Sequence, residues 1–394
     1  MSRPAPVRRG LGLVLALTVV TLAAGYLLKL PCLTAGWTGQ QYTRLCYSDV
    51  AALYASDDRD RGLDEGRFPY LEAGNEYPVL TGLAMGLAAV PARSYPAFFN
   101  WTAVLLTGAA LATAWALHRM GGRRALLFAV APTLAIYGFM NWDLLAVALA
   151  TVGLLAYLRN RDLASGVLLG LGAAAKLYPA LLLIPLVAGR LRDRRGADAG
   201  RLAGAAILAW AAVNLPFALA APGRWSEFFR FNSARGADWD SAWFLLERHL
   251  GFAWPRTLLN VLAAAAFVAL GAVFLRLARA RRPGFPAWTF GFALLVAFLL
   301  SSKVFSPQFG LWLLPWFALV LPDLRYFVAF SVADSAVFVT RFQFFARLAD
   351  VGPGLPFAAF EVALLVRAVV LVACVVAWAR RLPDAVPQPA AESA

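Results

Sequence analysis

Apolar runs of membrane length, separated by short polar and mostly basic segments, recur along the whole chain. Against a hydrocarbon core of about 30 Å, which takes roughly 20 helical residues, they predict crossings near 11–30, 97–117, 124–140, 142–159, 163–175, 177–189, 201–221, 255–279, 286–302, 308–321, 324–340 and 356–379. Several runs fall short of a full span, and those are expected to be tilted, broken or re-entrant. The pattern predicts an all-α polytopic membrane protein with about 11–12 crossing helices, some short or broken. Residues 1–379 form a single transmembrane domain with a first outer loop over 31–96. The Pro-, Ala- and Gln-rich tail 380–394 is expected to be cytoplasmic and disordered.

The run 77–92 decides the topology. If it crossed fully, Arg119, Arg123 and Arg124 would lie outside and every later basic cluster would invert with them. The positive-inside rule therefore places it as a helix lying in, or dipping into, the outer leaflet. With that choice Arg159 and Arg161, Arg190 to Arg201, Arg276 to Arg282, and Arg380 with Arg381 all fall inside. Arg3, Arg8 and Arg9 before Leu11 to Leu30 predict an uncleaved anchor, so both termini are expected in the cytoplasm. The segment 163–189 has basic clusters at both ends and a break at Lys176-Leu-Tyr-Pro179, which predicts two half-helices meeting near the outer face. Gly166, Gly170 and Ala174 at four-residue spacing predict a close helix-packing stripe. No strand precedes the Gly-x-Gly string at 170–172, which argues against a dinucleotide fingerprint.

Composition agrees with this picture. The 394 residues are 61% hydrophobic and 15% charged, with mean hydropathy +0.66, too little polar surface to cover a soluble globule. The net charge of +14 is spread as short clusters between apolar runs, a mark of membrane topology and not of a nucleic-acid-binding face. His118 and His249 are far apart and the three cysteines have no metal spacing, so neither a cofactor nor a divalent metal is expected. Cys32 and Cys46 are the only cysteines on the outer side. In an oxidising compartment they are expected to close the start of the outer loop, with two unpaired thiols as the alternative.

On this topology polar chemistry collects on the outer face. Leu45 to Tyr54 places Asp49 in a loop rich in acids and aromatics, where a carboxylate can face a water-filled site, and Asp49 is the candidate catalytic base. A helix cap before Val50 is the competing explanation. The run Asp57 to Glu65 mixes signs without apolar framing and has the pattern of a solvated patch. Glu76-Tyr77-Pro78 opens the re-entrant helix, while Asn141-Trp142-Asp143 starts a crossing and can be explained by capping alone. Lys176 and Lys303 are flanked by apolar residues at membrane depth, where a buried ammonium needs a partner or a ligand.

An acid early in the first outer loop, the Tyr77-Pro78 helix start, the Asn141/Asp143 turn and the Lys176 to Pro179 break resemble the GT-C superfamily of integral-membrane glycosyltransferases. Within it, the chain over roughly 11–345 is most similar to actinobacterial polyprenyl-phosphate-mannose-dependent α-mannosyltransferases, the group that extends phosphatidylinositol mannosides. The resemblance implies transfer of a sugar, mannose, with inversion from a polyprenyl-phosphate donor to a lipid or glycan acceptor at the extracytoplasmic face of the plasma membrane. It maps the base onto Asp49. Many relatives carry a paired Asp-x-Asp or Glu-x-Asp there, whereas this chain has Tyr47 and Ala51, which leaves one acid. The donor phosphate would meet Lys176, Lys303 and Arg235, and the substrates Glu76, Tyr77, Asn141, Asp143, Tyr178 and Gln308. The implied partners are the donor, the acceptor and membrane lipids, without nucleic acid. Two other readings stay open on the residues alone: a transporter or flippase of lipid-linked sugars, and a catalytically silent membrane protein.

Overall fold

The computed structural model describes residues 10–35, 39–54 and 62–381. Arg3, Arg8, Arg9, Asp57, Asp58, Asp60 and the tail from 382 lie outside them. Among the described residues the regular structure is helical, and a lone bridge joins Pro69 to Ala73.

All the predicted apolar runs fall on helices, but they divide into two kinds. Among the described residues six helices are long and apolar enough to cross a membrane: Leu11–Ala35, Tyr95–Gly121, Gly196–Ala220, Arg256–Arg281, Leu324–Leu348 and Phe357–Arg380. Each carries apolar side chains on its outer surface, such as Leu208 and Val369, as a lipid-facing helix must. The others are shorter. Asp143–Leu158 reaches only about 24 Å at 1.5 Å per residue. The run 124–140 becomes a 3-10 turn and two helices, Leu126–Ala129 and Pro132–Tyr137, because Pro132 offers no N–H and holds Ala131 extended. The run 308–321 likewise splits into a 3-10 helix, Pro307–Leu313, and the helix Leu314–Leu319. The second broken run lies in the interior, with Leu311 and Phe317 fully buried, and the first buries Phe128, Leu134 and Tyr137 but leaves Val130 and Pro132 exposed at its break. Irregular backbone at membrane depth is tolerable when protein surrounds it, as it does around the second run.

The segment 162–192 is two half-helices, Asp162–Ala175 and Tyr178–Arg192, that break at Lys176 and Leu177. The first lies against Gly196–Ala220. A Cβ at Gly166 would stand 2.3 Å from the Leu202 carbonyl oxygen, and one at Gly170 would stand 2.2 Å from that of Ala206. The small-residue stripe thus sets how closely the two helices approach. Val79–Ala89 is the short helix of the first loop, opened by Pro78.

The basic clusters gather at one end. Arg190 pairs with buried Asp162 at 2.8 Å, Arg195 reaches Asn160 and Asp162, and Arg192 donates to the Phe285 carbonyl. Phe285 packs on Trp378, close in sequence to Arg381, which pairs with Asp323. The disulfide Cys32–Cys46, with Cα atoms 5.8 Å apart, ties the end of the first helix to the loop that carries Asp49. Two long helices also hold a buried ion pair: Arg367 lies 3.5 Å from Asp334 and 3.7 Å from the Phe305 ring centroid.

Candidate active site

Asp49 opens the four-residue helix Asp49–Ala52, and its own N–H donates to the Met140 carbonyl at 2.8 Å. The capping role falls to Ser48, whose Oγ accepts from the Val50 N–H and donates to the Phe139 carbonyl. The Asp49 carboxylate is left to other partners. Oδ1 accepts from the Tyr47 hydroxyl at 2.8 Å, while Oδ2 accepts from Asn141 Nδ2 at 2.7 Å and from Gln308 Nε2 at 3.3 Å. The negative charge of Asp49, and then burial, raise the Tyr47 pKa well above the usual tyrosine value, so the hydroxyl keeps its proton and its donor role. Asn141 also donates to the Tyr77 hydroxyl at 2.7 Å, and Asn75 receives the Tyr77 N–H.

Lys176 sits at the half-helix break, with its Nζ 3.3 Å from Asp143 Oδ2 and between the Tyr77 and Phe309 rings at 5.2 and 5.1 Å. Asp143 is fully buried and takes a second bond, 2.7 Å, from Trp312 Nε1. Its carboxylate therefore balances Lys176 and is not a helix cap. Lys303 turns its ammonium onto the carbonyls of Arg235, at 2.7 Å, and Ser233. Among the described residues no carboxylate pairs with it. Burial, and then the like charges of Arg235 and Arg256, lower its pKa below the ordinary lysine value. Arg235 is itself matched by Asp238 at 3.1 Å.

These groups border one cavity of about 230 Å³. Glu76, Tyr77, Asn141, Lys176, Tyr178, Arg235, Lys303 and Gln308 line it directly, and Asp49 and Asp143 stand behind Asn141, Gln308 and Lys176. Tyr178, Trp312 and Phe309 form a continuous stack on the wall, with ring centroids 4.3 and 4.1 Å apart. Phe228, Phe231 and Phe298 add an apolar side. Among the described residues no three of His, Cys, Asp and Glu are grouped to hold a metal ion.

Two members of this neighbourhood do not stand out in the sequence. Tyr47 holds Asp49 from two residues away, a local pairing that loop sequence does not announce. Lys29 lies inside the first apolar run, and its Nζ donates to the Tyr47 carbonyl at 2.7 Å. A charge within a membrane-length run was the available signal.

A sequence model of Glycosyltransferase family 87 matches residues 75–307, more than half of the chain and the part that holds most of the cavity wall. Fold and match together define a polytopic membrane glycosyltransferase. The chain belongs to glycosyltransferase family 87, which decides between enzyme and transporter in favour of the enzyme. Among solved structures it is similar to ArnT from Cupriavidus metallidurans bound to undecaprenyl phosphate, with 13% sequence identity and a TM-score of 0.47, over 94% of this chain and 77% of that one. No curated protein matches it.

Proposed function

We propose that the protein transfers mannose with inversion from a polyprenyl-phosphate donor to a hydroxyl of a lipid or glycan acceptor. Asp49 is the general base, and the site faces the extracytoplasmic side of the plasma membrane. The observation that carries this reading is one carboxylate hydrogen-bonded to Asn141 and Gln308 on the wall of a cavity that a set of cations also lines. Tyr47 and Asn141 fix the carboxylate, while the Gln308 contact is the longest of the three and comes from a residue lining the cavity. An acceptor hydroxyl entering there takes the place of the Gln308 amide and gives its proton to Oδ2 as its oxygen bonds the anomeric carbon. The bond from that carbon to the phosphate oxygen breaks, and the phosphate leaves with the electron pair.

Lys176, Lys303 and Arg235 stabilise the departing charge. They differ in how free they are, since Asp143 balances Lys176 and Asp238 balances Arg235, which makes Lys303 the cation with most charge to offer. The Tyr178–Trp312–Phe309 stack suits a sugar face, and the phenylalanine side suits the first isoprenes of the lipid. Phosphate charge is met by side chains in this scheme, without a divalent metal.

Membranes containing the protein, incubated with labelled polyprenyl-phosphate sugars, are expected to yield labelled glycolipid or glycan. Asp49→Asn should reduce turnover by about 100- to 10,000-fold while donor binding persists, since the amide keeps the size of the acid but cannot take a proton. Near-normal turnover by this variant would remove Asp49 from the chemistry and turn attention to Glu76, the carboxylate residue on the cavity wall.

A further inference from the structure

The chain has three lysines against thirty-three arginines, and all three lie in one neighbourhood. Lys176 and Lys303 line the cavity. Lys29 is 1% exposed near the end of the helix Leu11–Ala35, with its amine on the Tyr47 carbonyl and 5.5 Å from the Phe338 ring centroid. Arginine serves every other basic position except the two histidines, so the three lysines stand apart. An ammonium is a compact point charge with three donors, whereas a guanidinium presents five in a plane and demands more acceptors. A buried ammonium costs several kcal/mol unless an opposite charge compensates it. Among the described residues no carboxylate pairs with Lys29 directly, and the acid within its electrostatic reach is Asp49.

The charges around Asp49 point the same way. Tyr47 faces it from its own loop, Tyr77 and Asn141 from the neighbouring loops, and Gln308 from the helix Pro307–Leu313. Asp143 and Lys176 form one neutral pair across the cavity. Arg341, behind Tyr47, is matched by Asp240. With those cations balanced, Lys29 is left as the counter-charge on the protein side of the carboxylate.

We propose that Lys29 is a positioning residue for the Asp49 carboxylate, holding Tyr47 through its carbonyl and standing as the counter-charge on the protein side of the acid. This rests on the reading of Asp49 as the base. The disulfide Cys32–Cys46 holds the same loop covalently. The lysine adds what a cross-link cannot, a charge.

Lys29→Gln separates the two contributions, because the amide still donates to the Tyr47 carbonyl but carries no charge, whereas Lys29→Arg keeps the charge. The expected result is an acid limb of the kcat/KM profile displaced by about one pH unit to higher pH in Lys29→Gln, with donor KM unchanged, and a limb left in place in Lys29→Arg. A slower Lys29→Gln enzyme with an unmoved limb would make Lys29 an anchor only and overturn the proposal, as would an unchanged enzyme. Full activity of Asp49→Asn is a separate result and removes the base reading itself. If neither Lys29 variant folds, the chain labelled with 15N-lysine gives three Nζ signals, assigned with Lys176→Arg and Lys303→Arg. The Lys29 signal is expected to move on Asp49→Asn, and an unmoved signal would overturn the proposal.

Discussion

Asp240 is a buried carboxylate paired with Arg341. Burial raises its pKa from 3.8 to about 6, and the attraction of Arg341 offsets only part of that rise. Between about pH 4 and pH 6 the folded chain therefore holds a proton that the unfolded chain has released. The stability contributed by this group is full below that window and is lost as the pH rises through it. Asp240→Asn cannot ionise, so the Tm of the unmutated protein, taken relative to that of the variant, should fall from pH 4 to pH 6 in detergent. Parallel curves would place the pH dependence elsewhere. The same competition between burial and pairing explains which site residues were legible in the sequence. Lys176, Lys303 and Asp143 are polar groups at the edges of apolar runs, where the cost of burial draws notice. Lys29, Asp334 and Arg367 sit within runs long enough to count as crossings, and the excess of apolar neighbours hides them. Capping, the competing explanation for Asp49 and for Asn141–Asp143, was plausible on local sequence alone. Partners more than ninety residues away, as between Asp49 and Asn141 or Gln308, decide otherwise.

Among the elements, the half-helix Asp162–Ala175 and its neighbour Gly196–Ala220 are held by backbone approach at Gly166 and Gly170. Gly170→Ala inserts a methyl group 2.2 Å from a carbonyl oxygen and is expected to destabilise the protein by about 1–3 kcal/mol through overpacking. Gly204→Ala in the partner helix meets nothing within 4 Å and, by better helix propensity, should be neutral or slightly stabilising. Thermal unfolding of the two variants side by side checks the pair, and equal stability would refute the close-packing role. Hydropathy located these elements because lipid contact and burial both demand apolar side chains. It could not distinguish those two fates, which is why the six full-length helices and the shorter or broken ones look alike as runs. Pro132, Pro307 and Pro315 mark the breaks; Pro307 and Pro315 are buried, whereas Pro132 is exposed with only its neighbours Ala131 and Thr133 buried.

At the scale of the molecule, the basic clusters meet at one end and the candidate site lies at the other. Arg124→Cys should accept an impermeant thiol reagent only from the cytoplasmic side, and Arg44→Cys, beside the disulfide, only from outside. Labelling of position 124 in intact cells would invert the topology. This separation was legible because charge counting integrates over the whole chain, whereas convergence on Asp49 depends on contacts remote in sequence. Gln308 lies 259 residues after Asp49. A ribosome adding about 5–20 residues per second makes Gln308 roughly 13–50 s after Asp49. The nascent Asp49 therefore waits with its set of hydrogen-bond donors incomplete, and a chain cut short before the last third never completes it.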